Sequence, residues 1–314
     1  MKFLILLFPF ILAFGGNLNS VNNKHLDCNY IKDYYPYVHS GMLEYERGNY
    51  QESYEYFSKA FDKCPPKNTL EYYELDKMGE LCVRLQNFKE AQKYIRESCL
   101  QGRNLDYIID DSLYLDFFDS KHGRDLIKNY TSYREEYLSS INLELRNELI
   151  LMKSEDQKYR QSGHQFFKDN FEKAKTIDSL NSNRLIQIFD SIGYPNSNII
   201  GNHTLDGGHI RLNIVLLHTE DSIRLNYFAP KINEFVRSGK CDPELLGNLM
   251  DQFYLYNKEP QIYGTYSGMN SPYAHMIHRD SVNLNRLSIG LPTLEQKEEL
   301  DSLKRVNYPW LYGQ

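Results

Sequence analysis

Apolar residues recur at helical rather than strand spacing along most of this chain, and that narrows its fold more than any other feature. Ile141, Leu145, Leu149 and Met152 fall three or four positions apart, the stripe of an amphipathic helix. "NSNRLIQIFDSIGYP" reads as another helix, stopped by Gly193 and Pro195. Ile210 to Leu217 is nearly all apolar with no two-residue alternation, so a buried helix is expected there. "DPELLGNLMDQFYLY" opens with Asp-Pro-Glu, residues suited to a helix N-terminus. The expected class is mainly α, with a loop-rich end after residue 258.

Residues 34–67 read "YYPYVHSGMLEYERGNYQESYEYFSKAFDKCPPK". This stretch resembles the tetratricopeptide repeat, a pair of antiparallel helices with fixed small and aromatic positions. Tyr37, Gly41, Gly48, Tyr50, Ser53, Phe57, Ala60 and Pro65 take those positions, with Ser53 where Ala is usual. A second unit, "LDKMGELCVRLQNFKEAQKYIRESC", places Leu75, Gly79, Phe88, Ala91 and Ile95 correspondingly. Two units seldom stand alone, because each buries a face on its neighbour. Residues 103–140 carry apolar residues at 113, 115, 117, 118, 126 and 127 and are expected to cap the array. The resemblance implies repeats over 30–102, a helical connector over 103–140, a separate helical domain over 141–314, and a groove for a protein or peptide. It also implies a disulfide: the entry to the first helix of a unit lies beside the end of the second, where Cys28 and Cys64 stand. Cys82 and Cys99 fall at different heights on their helices, roughly 10 Å apart along the axis, and Cys241 is expected to be reduced.

The N-terminus bears on location. Lys2 precedes an apolar run from Phe3 to Phe14, and Ala13-Phe14-Gly15 offers small residues where a signal peptidase reads. The run falls short of the roughly 20 residues that span a bilayer. Residues 1–16 are therefore read as a signal peptide and the mature chain as exported, periplasmic or secreted, with no transmembrane segment. Export permits disulfides. A net charge of -6 argues against general nucleic-acid binding, which needs a basic face.

Further along, "ELILMKSEDQKYR", "GYPNSNIIG", "LLHTED", "PQIYGT" and "RLSIGLPTLEQ" occur in an order and spacing similar to a bacterial domain family of unknown function. The likeness spans roughly 143–296. It implies no activity but points to Asp156, Gln157, Arg160, His218, Gln261, Tyr263, Gly264, Thr265, Asp280 and Arg286. Leu217 and Thr219 depart from the polar residues the family often has around its His.

These residues also have a physical reading of their own. Asp156 and Arg160 share a helix face, either as a surface pair or with Arg160 turned inward to hold an anion and Asp156 orienting it. His218 ends the most apolar segment. It is either a core His with one hydrogen bond or a neutral imidazole at a cleft wall, poised as a base, with Asp221 as one candidate to orient it. Gln261, Tyr263 and Thr265 point to one side if their segment is extended, while Gly264 fits a tight turn equally well. His275, His278 and Asp280 form HxxHxD in a segment with no helical stripe, so no metal site is expected. "TLDGGHIR" lacks the Lys and Ser/Thr of a P-loop, and no cofactor is expected. Neither G-x-S-x-G nor a Cys/His nucleophile pattern occurs.

Binding is therefore the leading functional reading, through the repeats and through a polar cleft in the C-terminal domain that takes a small molecule. The alternative is a hydrolase or transferase in which His218 and Asp156 are catalytic and Arg160 binds the substrate. The remaining cleft candidates are Gln157, Gln261, Tyr263, Thr265, Asp280 and Arg286. The cleft reading brings residues 261–265, His218 and Arg160 into contact.

Overall fold

The computed structural model describes residues 28–66, 73–161, 163–208, 210, 212–266 and 275–312. The expected signal peptide over 1–16 lies outside them. The described residues are mainly helical, as expected, and their only strand-like pairing is one parallel bridge, Gln261 to Met276. No helix among them is long and apolar enough to cross a membrane.

Two helical hairpins open the chain. In the first, α1 (Tyr35–Glu46) packs on α2 (Tyr50–Lys63); in the second, α3 (Tyr73–Arg84) packs on α4 (Phe88–Leu100). Small residues set how close the helices come. The Ser53 hydroxyl donates to the Gly41 carbonyl at 2.7 Å, and a Cβ built on Gly41 would stand 2.8 Å from the Phe57 ring. Phe57 and Ala60 are fully buried in that seam. Gly41→Leu is accordingly expected to lower stability by about 2–3 kcal/mol through overpacking, read as a fall in the urea midpoint. An unchanged midpoint would show that Gly41 does not face Phe57.

A disulfide joins Cys28 to Cys64, with the Cα atoms 5.5 Å apart, and so ties the start of the first hairpin to the end of α2. Cys82, Cys99 and Cys241 are free and buried. Burial pushes the Cys82 and Cys99 thiols up to about 12, so they serve as small apolar fillers.

After two short 3-10 turns, α5 (Lys121–Ser140) lies along α4 and covers its free face. Ser120 caps α5 by accepting from the Gly123 amide. Then α6 (Leu143–Gln157), capped by Asn142, packs against α7 (Phe171–Ser191) and against α8 (Leu212–Leu216). The apolar run 210–217 thus yields a much shorter helix than its composition suggests. Thr219 ends it, its hydroxyl taking the Leu216 carbonyl at 2.7 Å, so a polar turn replaces the next helical turn.

Residues Arg224–Phe228 form a π-helical turn that runs into α9 (Ala229–Arg237). There follow α10 (Pro243–Tyr256), α11 (Arg279–Ser288) and α12 (Leu294–Asn307), the last opened by a capping box between Thr293 and Gln296. The last helix returns to the first: Arg47 pairs with Glu299, and the Asn307 amide donates to the Glu46 carbonyl. His39 Nε2 donates to Gly290 O at 2.8 Å, and Tyr35 donates to Cys241 O. The two hairpins and the C-terminal half therefore share one core.

Two partly buried groups beside this core tilt stability in opposite directions with pH. Burial lowers the His39 imidazole to about 4, so its share is intact above its ordinary range near 6.5 and is lost as pH falls. Burial raises the Asp242 carboxyl to about 7, so its share is present below about 4 and is lost as pH rises through 7. Asp242 caps α10 through the Glu244 amide, and Asn caps as well as Asp. Asp242→Asn should therefore gain stability over the wild type between pH 5 and pH 8, on the order of 2–4 kcal/mol. Urea midpoints at the two pH values check this; a constant difference would refute it.

Candidate functional site

The site forms where α6 ends beside α7 and the turn after α8. Asp156, in the last turn of α6, is fully buried, and both its oxygens lie 2.9–3.0 Å from His218 Nδ1. Gln157 Nε2 donates to Asp156 Oδ2 at 2.7 Å. Arg160 folds back over the helix end. Its Nη1 donates to the Asp156 carbonyl at 2.6 Å and stands 3.7 Å from Asp156 Oδ1. Its Nη2 donates to both oxygens of Asp178 on α7, at 2.8 and 2.7 Å. A cation at this place also meets the helix end that carries orphan carbonyls and the negative dipole.

The geometry places both His218 and Arg160. The His218 side chain keeps 26% of its surface exposed, so it stands at a wall, not in the core. Its orienting group is Asp156, from another helix; Asp221 instead lies 3.7 Å from Arg224. A carboxylate at Nδ1 accepts from that nitrogen's hydrogen and orients the ring. Arg160 is turned inward, but among these side chains the anion it holds is Asp178. Burial raises the Asp178 carboxyl above the ordinary range, and Arg160 counters part of that.

The turn that carries His218 is held from below. Arg224 Nη2 donates to the carbonyls of Leu217 and Thr219, one on each side of His218, at 2.7 and 3.1 Å. With Thr219 closing α8, the imidazole sits on a fixed backbone.

Asp156, Asp178 and His218 present ligand atoms within 4.8 Å of one another, as a metal site would. The donor set is already matched to a guanidinium, however. Arg160 spans both Asp178 oxygens, and Asp156 accepts from Gln157 and His218, so a divalent cation would have to displace an arginine. His275, His278 and Asp280 do not form an alternative centre. His278 and Asp280 are exposed on the surface, 3.6 Å apart, and His275 is exposed as well.

The 261–265 segment belongs to a second hydrogen-bonded group, and among the described residues no hydrogen bond or ion pair links it to Asp156, Arg160 or His218. Its centre is Asp251 on α10, fully buried. Asp251 Oδ1 accepts from the amides of Ile262 and Tyr263 at 2.9 Å, and Oδ2 accepts from the amide and hydroxyl of Thr265 at 2.7 Å. The segment is therefore curled around a carboxylate and not extended. Gly264 supplies the left-handed residue (φ 63°) that this needs. Gln261 turns back on its own loop, its amide exchanging hydrogen bonds with the Tyr266 backbone at 3.0 Å. Arg286 is buried and donates to the carbonyls of Tyr263 and Pro292. Hydrogen bonds divide the residues expected to line one cleft between the His218 group and the loop around Asp251, and Asp280 joins neither.

The sequence reading missed Asp178, Asp251 and Arg224. Asp251 carried a signal, an acidic residue inside the apolar helix "ELLGNLMDQF", where burial of a carboxylate demands partners. Asp178 carried none, lying 22 residues from Asp156 on an unremarkable polar face.

No protein-family model, curated protein or solved structure matches the chain.

Proposed function

We propose that this is an exported protein whose C-terminal half acts on a small molecule by proton transfer at His218, as a hydrolase or transferase. The supporting observation is the buried Asp156 carboxylate on Nδ1 of a ring that remains open to solvent. Asp156 orients the ring, and Arg160 and Asp178 fix the end of α6 against α7 so that Asp156 does not move. The likeness of these motifs to the bacterial family of unknown function is part of this reading. The Cys28–Cys64 bond accords with export, since disulfides persist in oxidising compartments.

The decisive experiment compares wild type and His218→Gln on chromogenic carboxyl-ester, phosphoester and amide substrates, with thermal midpoints as the control for folding. One substrate class should be turned over by the wild type and lose about 10²–10⁴-fold in the variant. Equal turnover by a folded variant, or no turnover in any class, would overturn the proposal.

A protein- or peptide-docking role for the tetratricopeptide-like hairpins is the second reading. It is supported by a cavity of about 590 Å³ beside them, lined by Tyr45, Lys77, Glu80, Arg84 and Tyr114 among others. Charged side chains at its wall already pair with one another, Glu80 with both Lys77 and Arg84.

A further inference from the structure

We infer that Arg224 is the oxoanion-binding residue of the His218 site, so that the substrate class is a small molecule bearing a phosphate or carboxylate group. This rests on the reading of His218 given above and adds to it the chemistry of the substrate.

Arg224 is only 3% exposed, yet it is half-used. Nη2 holds the two carbonyls flanking His218, while Nε and Nη1 have no hydrogen-bond partner among the described residues. Burying guanidinium donors without acceptors carries a desolvation penalty. Stability alone would favour Met or Leu at such a position. Desolvation already lowers the proton affinity of this guanidinium, as expected for a cation short of anionic partners.

The free edge lies just under the surface. Nη1 stands 3.7 Å from Asp221 Oδ1, too far for a hydrogen bond, and the Asp221 side chain is 54% exposed. An entering oxoanion therefore has a short path and one carboxylate to displace. Arg224 also opens the π-helical turn, a distortion that often marks functional positions. Because Arg224 grips the backbone on both sides of His218, an anion on its free edge is held within reach of the turn that carries the base.

The test titrates the full chain with inorganic phosphate and, separately, with acetate, following the thermal midpoint and binding heat. Wild type should bind one of them saturably. Arg224→Gln should weaken that binding by about tenfold or more, the loss of a charge-assisted contact. Since Arg224→Gln also frees the Leu217 and Thr219 carbonyls and can unfold the turn, Asp221→Asn provides the independent arm. It removes the competing carboxylate from an exposed position and should tighten binding by about threefold or more. His218→Gln should bind the anion as the wild type does while losing turnover. No saturable binding to wild type, or no tightening in Asp221→Asn, overturns the role of Arg224. Anion binding with these responses but no turnover of any substrate leaves Arg224 standing and removes the base role of His218. Turnover of neutral substrates only, indifferent to phosphate and acetate, does the reverse.

Discussion

Asp251→Ala is expected to lower stability by roughly 3–6 kcal/mol and to release the loop at 261–265. The carboxylate satisfies three backbone amides and one hydroxyl at 2.7–2.9 Å inside a fully buried space. Each donor left without a partner costs about 1–3 kcal/mol. Water can relieve part of this, but only if the loop opens. The loop also carries the Tyr263 carbonyl that receives Arg286, so its release leaves a second buried charge poorly matched. Asp251→Asn should lie between alanine and wild type, because an amide offers one acceptor oxygen where the site uses two. Hydrogen exchange at the Ile262, Tyr263 and Thr265 amides measures the effect directly. Wild-type protection of these amides in Asp251→Ala would mean that the loop is held by something else.

Asp156→Asn is expected to lower turnover by about 10²–10⁴-fold, the usual weight of a positioned acid–base group, with folding largely preserved. The amide is close in shape to the carboxylate and can still meet His218. It cannot enforce the same tautomer, because its NH₂ donates where the carboxylate only accepts. The imidazole then has reason to carry its hydrogen on Nε2, the atom that must be free to take a proton. Nitrogen chemical shifts of His218 should show hydrogen on Nδ1 in wild type and a move toward Nε2 in the variant, together with a fall in kcat at little-changed KM. A shifted tautomer with undiminished kcat would end the general-base assignment.

The helical class was legible because its signal is local. A stripe such as Leu145, Leu149 and Met152 is set by 3.6-residue periodicity, and these three residues are buried as that periodicity requires. The end of α8 was not legible, since whether Thr219 continues a helix or closes it depends on a hydroxyl finding the Leu216 carbonyl. The site was legible by half. Asp156 and His218 were singled out separately, but their meeting spans 62 residues and no local pattern encodes it. The partners of the 261–265 segment were not legible for a related reason. The Thr265 hydroxyl meets the Asp251 carboxylate and the Gln261 amide meets the Tyr266 backbone, partners that no local pattern of residue types announces. Arg160 shows the same ambiguity, since a guanidinium built for an anion reads alike whether the anion is Asp178 or a substrate.

The return of α12 to α1 governs the order in which the molecule can be completed. Contacts such as His39 with Gly290, Arg47 with Glu299 and Glu46 with Asn307 bridge 251, 252 and 261 residues. Loop-closure entropy on that scale is met only late, so folding should be slow for so helical a protein. The hairpin of α1 and α2 waits for the much later α12, with part of its surface uncovered in the interval. A chain cut short before residue 289 would lack the pieces that cover it, and aggregation during that wait is the hazard this topology carries.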